Sequence, residues 1–234
     1  YYSIGQYNYC AGNPVKYIDP NGEDVWEIND AGEVVNHYSD ETQDAFYMVS
    51  KTDGQWQRTG QQMIFDYGTV SNYSEFTKTM GNGKGGSTTV QFTIFEINGD
   101  DNATQLFEFM ANPNETTNVE WTHAKVQAEG SGCNVVGTTH KQTSTAVGSY
   151  LIHKRYPLRE VNHNHPNGVP LPSKADMESV QKYQKQTPGV KSNIYVPSSG
   201  YSPYNGSGTL DPRIKQQDGI YLLPDGQRVR LINQ

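Results

Sequence analysis

The sequence predicts an α+β protein: a mixed β-sheet flanked by helices, preceded by a β-rich N-terminal subdomain. The chain of 234 residues holds 16 Tyr and 23 Gly, and only 34% of it is hydrophobic, with a mean hydropathy of -0.76. Such a Tyr-, Thr-, Asn- and Gly-rich profile suits strands and turns rather than disorder. Up to residue 86 the pattern is one of hairpins alone, whereas from Ser87 strands alternate with helices. These two rhythms divide the chain into a segment 1–22 of separate character, a β-rich subdomain 23–86 and an α+β domain 87–234.

The elements follow in order. Val25 to Ile28, the turn Asp30-Ala31-Gly32 and Glu33 to Tyr38 read as a hairpin. Phe46 to Ser50, Asp53-Gly54 and Gln55 to Thr59 make a second, and Gln62 to Tyr67 continues the sheet. Met80 to Gly86 reads as a loop; it binds no phosphate, because no Gly-Lys-Ser/Thr follows an apolar strand. Thr88 to Ile97 is a strand. Asp100 and Asp101 are expected to cap a helix reaching Ala111, with Leu106, Phe107 and Met110 on one face. Thr117 to Val126 and Asn134 to His140 are strands, and Ser144 to Tyr156 is a helix burying Val147, Tyr150 and Leu151. Leu158 to His165 is a strand, Ser173 to Gln186 a helix stopped by Thr187-Pro188-Gly189, and Ser192 to Val196 a strand. The long loop 197–212, with Tyr201 and Tyr204, is expected to cover part of a substrate groove. Tyr221 to Gly226 and Arg228 to Ile232 form a C-terminal hairpin.

A net charge of -7 without a Lys/Arg cluster argues against nucleic-acid binding, and no run is long enough to span a membrane. The chain begins without Met and without a signal peptide, and reads as the tail of a longer protein. Cys10 and Cys133 make no disulfide framework and read as unpaired thiols, which leaves the compartment open.

The most informative stretch is His163-Asn164-His165-Pro166, followed by a Pro/Gly loop and Ser173-Lys174-Ala175-Asp176. Histidines two residues apart on a strand project to one side, and Asp176 falls in the first turn of the next helix. Two imidazoles and a carboxylate make three ligands with one position open, the arrangement of a catalytic zinc. His-x-His, seven residues, Ser-x-x-Asp resembles the signature of the JAMM (JAB/MPN-plus) metalloproteases without a gap or substitution. The resemblance implies that residues 87 to 200 adopt the JAMM/MPN-type fold and that His163, His165 and Asp176 hold zinc. It also implies a glutamate as general base, matched here by Glu120 in Asn118-Val119-Glu120-Trp121; Glu108 and Glu129 are weaker matches. Ser173 carries two compatible readings, a helix N-cap and, by the resemblance, a hydroxyl supporting the oxyanion. His123 and His140 are expected at most to line the cleft, and His37 and His153 to be surface or packing residues.

Residues 1–22, from Tyr7-Asn8-Tyr9 to Asp19-Pro20-Asn21-Gly22, resemble the end of an Rhs repeat-associated core. In that family an Rhs shell encloses a variable C-terminal domain, often a toxin, released by cleavage near this motif. Glu23 stands here where the family has an apolar residue, which leaves release open. Together the resemblances imply a secreted or cell-surface bacterial zinc peptidase or isopeptidase. Its partners would be a protein or peptide substrate, an immunity protein and the upstream Rhs shell. The alternatives are a catalytically inactive MPN-like binding module and a cell-surface structural protein.

Overall fold

The structure is a computed structural model that describes residues 24–39, 42–81, 85–126 and 133–206, with the backbone of 216–217, 220–222 and 228–230. The segment 1–22 with Cys10, Glu129, and the centre of the loop at 80–86 lie outside these residues. The architecture is α+β, as the sequence predicts. A first sheet comprises β1 (Asp24–Ile28), β2 (Val34–Ser39), β3 (Asp44–Thr52) and β4 (Gln55–Phe65) in the order β2-β1-β3-β4, with β1 and β3 parallel.

The central sheet takes β5 (Val70–Gly81), β6 (Ser87–Ile97), β7 (Trp121–Val126), β8 (Asn134–Thr138), β9 (Leu158–Asn164), β10 (Lys191–Val196) and β11 (Gly200–Pro203). Its order is β11-β10-β9-β7-β8-β6-β5, antiparallel except for the β9–β10 pair. Three helices complete the fold: α1 (Asp100–Met110), α2 (Val147–His153) and α3 (Lys174–Gln186), the last linking the two parallel strands. The C-terminal hairpin appears in the backbone as β13 (Ile220–Leu222) against β14 (Arg228–Arg230), with β12 (Gln216–Gln217) beside it.

The central sheet is covered on both faces. Phe95, Ile97, Trp121 and Val136 pack with α1 and with Trp26, Ile28, Phe46 and Met48 of the first sheet. Their neighbours in sequence, Phe92, Ile94, Ala124 and Val135, point the other way into a second core with Val147 and Leu151 of α2 and Val180 and Tyr183 of α3. β8 and the second half of β6 are accordingly buried along nearly every residue, as strands covered on two sides are.

Some details differ from expectation. Gly200–Pro203, expected within a loop, is β11. Residues 70–79, unassigned by pattern, and Met80 and Gly81, expected in a loop, form β5 and pair with β6 along its whole length, so β5 belongs to the central sheet. The reason is composition: β5 is polar or Thr-rich, with Val70 and Tyr73 reaching one core and Phe76 and Met80 the other. Asp100 and Asp101 lie inside α1, whose N-cap is Gly99 without a side-chain cap; Asp100 instead pairs with Arg159 and accepts from Asn134 Nδ2. Among the described residues no helix is long and apolar enough to cross a membrane.

Candidate metal centre

His163 lies on β9, paired across the sheet with Thr122 on one side and Ile194 on the other. Alternation aims its ring, with Val161, at the face covered by α2 and α3. His165 follows where β9 ends, its N–H bonded to the Tyr195 carbonyl at 3.3 Å. Asp176 comes from the first turn of α3, on the helix stripe that buries Val180 and Tyr183. Ser173 fixes that turn by a capping box: Ser173 Oγ accepts from Asp176 N at 3.2 Å, and Ser173 N donates to Asp176 Oδ2 at 2.7 Å.

These elements bring one ligand atom from each of His163, His165 and Asp176 within 4.8 Å of the others. The two Nε2 atoms are 3.1 Å apart, Asp176 Oδ1 stands 3.3 Å from His163 Nε2, and Asp176 Oδ2 stands 3.5 Å from His165 Nε2. A tetrahedral ion with ligand bonds of about 2.0–2.1 Å separates its ligand atoms by roughly 3.3–3.4 Å, so each of these pairs comes near that spacing, the two carboxylate contacts being made by different oxygens. The proton arrangement agrees. His165 Nδ1 lies 2.7 Å from the Val169 carbonyl, which can only accept, so Nδ1 carries the hydrogen and Nε2 offers its lone pair.

Electrostatics follow from burial and from the charges at hand. Burial holds His163 below the ordinary imidazole pKa despite the neighbouring Asp176. For His165 burial also works against the charge, but Asp176, Glu120 and the Val169 carbonyl overcome it and raise the pKa. Asp176 is buried too, yet the two imidazoles and Ser173 keep it ionised, well below the usual carboxylate range.

Glu120 is the residue immediately before β7 and faces the same side as the ligands, while its neighbours Val119 and Trp121 enter the opposite core. Its carboxyl is outside the ligand triangle but close enough to feel His165 and Asp176. Burial pushes its pKa up to about 8, the Asp176 charge adding to the rise and His165 opposing it. Both of its backbone groups are bonded: Glu120 N donates to the Lys141 carbonyl at 2.7 Å, and Thr138 Oγ1 donates to the Glu120 carbonyl at 2.7 Å.

The remaining residues sort themselves by place. Glu108 accepts from Tyr201 Oη on the α1 side of the sheet, away from the triangle. His123 is three residues from Glu120 and hence on the opposite face, fully buried beside Phe107, where burial drives its pKa down to about 3. His140, with a left-handed φ of 58°, sets its ring between the Ala31 carbonyl and Thr93 Oγ1. Neither lines the cleft. Tyr201 sits with Glu108, but Tyr204 closes one side of the triangle, its Oη 3.5 Å from His163 Nδ1 and its ring edge-on to that imidazole. Cys133 is buried, and His153 is exposed at the end of α2.

Comparison with curated proteins and with solved structures finds no match. A family model does match. Over residues 95–185, which hold Glu120, both histidines, Ser173 and Asp176, the chain is similar to the family described as JAB-like toxin 1, and that span reads as a JAB-like toxin domain.

Proposed function

We propose that the protein is a zinc-dependent peptidase or isopeptidase of JAMM type, acting as the toxin or effector part of a secreted Rhs-associated protein. The observation that supports this is the convergence of His163, His165 and Asp176, one ligand atom from each within 4.8 Å of the others, with the buried Glu120 carboxyl close enough to feel His165 and Asp176. His163, His165 and Asp176 would hold the ion, which when bound supplies a positive charge that polarises an amide carbonyl and acidifies water. Glu120 takes the proton from the attacking water and returns it to the leaving amine. Its burial beside His165 and Asp176 suits a group that must both accept and give a proton at the attacking water. Ser173 Oγ accepts from the Asp176 amide and so keeps its hydrogen to donate to the oxyanion. The substrate would be a protein or peptide, with an immunity protein and the upstream Rhs shell as partners. Export to the medium or cell surface rests on the resemblance of residues 1–22.

The test is zinc content together with one substitution. Purified full-length chain is expected to bind one zinc, and Glu120→Gln to keep that zinc while losing cleavage of a mixed peptide library. A chain that takes up no zinc, or a Glu120→Gln variant of full activity, overturns the reading.

A further inference from the structure

Asn164, the residue between the two histidines, faces away from the triangle and is 1% exposed. Its side-chain amide is used at both ends. Asn164 Oδ1 accepts from the Trp121 amide at 2.6 Å, and Asn164 Nδ2 donates to the Val119 carbonyl at 3.2 Å. These groups belong to the residues on either side of Glu120. Meanwhile the backbone ladder between β7 and β9 ends at the Thr122–His163 pair, and the next strand residues part as His165 N turns to Tyr195 on β10. The Asn164 amide, which has the donor and acceptor of a peptide group, spans the gap where a further rung would stand.

We propose, resting on the reading above, that Asn164 is a positioning residue: it sets the separation between the base Glu120 and the His163–His165 pair. Glu120 itself is tied by its own amide and carbonyl only to the β8 side, through Lys141 and Thr138. The link to the ligand strand at this point is Asn164. The ligands do not need it. His163 is held in the ladder by Thr122 and Ile194, His165 by Val169, and Asp176 by the Ser173 capping box. Removing the Asn164 amide therefore leaves the metal triangle standing and frees the base to drift from it. A ligand motif thus contains, in its middle position, the clamp that registers the other half of the active site. Serine or alanine there is too short to reach both peptide groups.

The experiment compares Asn164→Ala and Asn164→Asp with wild type in the full chain loaded with zinc. Asp keeps the acceptor for Trp121 N but sets a carboxylate against the Val119 carbonyl. Zinc affinity, by chelator competition, is expected to stay within roughly threefold, while kcat per bound zinc on the peptide library falls about 10–100-fold with KM little changed. In a Glu120→Gln background the same substitutions are expected to cost nothing more, because Asn164 acts through Glu120. A second readout needs no substrate. In the Co(II)-loaded protein, Asn164→Ala and Glu120→Gln should shift the pH response of the visible bands in the same direction, without adding. Unchanged kcat per zinc, or losses that multiply in the double variant, would overturn the assignment while leaving the metallopeptidase reading intact. A wild type without zinc or cleavage overturns that reading instead. If neither variant folds, hydrogen exchange on wild type decides: the Trp121 amide should be as protected as the β7 ladder amides, and exchange at the rate of an open loop refutes the clamp.

Discussion

An alanine at position 148 would place its Cβ 2.1 Å from Tyr183 Oη and 2.9 Å from Cζ, both far inside contact distance. Gly148 is the second residue of α2, and Tyr183, 7% exposed, fills the space between α2 and α3. Two effects oppose each other. Ala improves helix propensity by at most about 1 kcal/mol. Overpacking a closed core costs about 1–3 kcal/mol, because a buried tyrosine ring has no free rotamer to escape into. The net expectation is a loss of up to about 2 kcal/mol, or a few degrees in Tm for a chain of this size. Asp176, Val180 and Tyr183 lie on one stripe of α3, so displacing the ring also tilts the carboxylate, and metal affinity should fall with stability. The assay is urea denaturation of Gly148→Ala, Tyr183→Phe and the double variant. Removing the hydroxyl removes the closest contact, so Gly148→Ala should cost clearly less in the Phe background. Stabilisation by Gly148→Ala alone, or an equal cost in both backgrounds, refutes the steric argument.

Ser173→Ala should lower stability by about 0.5–2 kcal/mol through the lost cap, yet keep metal bound, as denaturation and zinc analysis would show. Asp176→Ala should keep that cap, lose the reciprocal bond from Ser173 N to Asp176 Oδ2, and lose the metal. Gly32 has φ +72° and its Cβ would stand 3.0 Å from Val119 Cγ2, so Gly32→Ala should destabilise by about 1–2 kcal/mol from the left-handed backbone alone, read by thermal melting. In metal-free protein, burial raises the Glu120 pKa from 4.5 to about 8. The folded state then binds this proton more tightly than the unfolded state, so stability is present at low pH and drains away as pH rises between those values. Glu120→Gln should abolish that loss, matching wild type near pH 4.5 and exceeding it above pH 8, by urea titration at each pH.

Some of this was readable in one dimension. The ligand motif is local: a strand, a short loop and a capped first turn fix where His163, His165 and Asp176 point. Apolar periodicity likewise placed β6, α1, β9 and α3 to within a few residues. Glu120 was reachable only through family resemblance, because its approach to the triangle depends on β7 pairing with β9 across a gap in sequence. Parity along a strand was an available signal that went unused: His123, an odd number of residues from Glu120, had to face the other way. The Asn164 hydrogen bonds and the left-handed His140 had no sequence signature, since each is defined by a partner brought in by the fold. β5 was hidden because it shares its apolar residues between two cores.

The three ligands all arise within the single stretch from the start of β9 to the end of β10, a strand–helix–strand unit closed by neighbours in sequence. Glu120 joins them only after β7 has been threaded between β8 and β9. Short loops cost less entropy to close than long ones, so His163, His165 and Asp176 meet across a shorter loop than the one that brings Glu120 to them. The stretch that holds His163, His165 and Asp176 is thus local in sequence, whereas the approach of Glu120 needs the completed sheet.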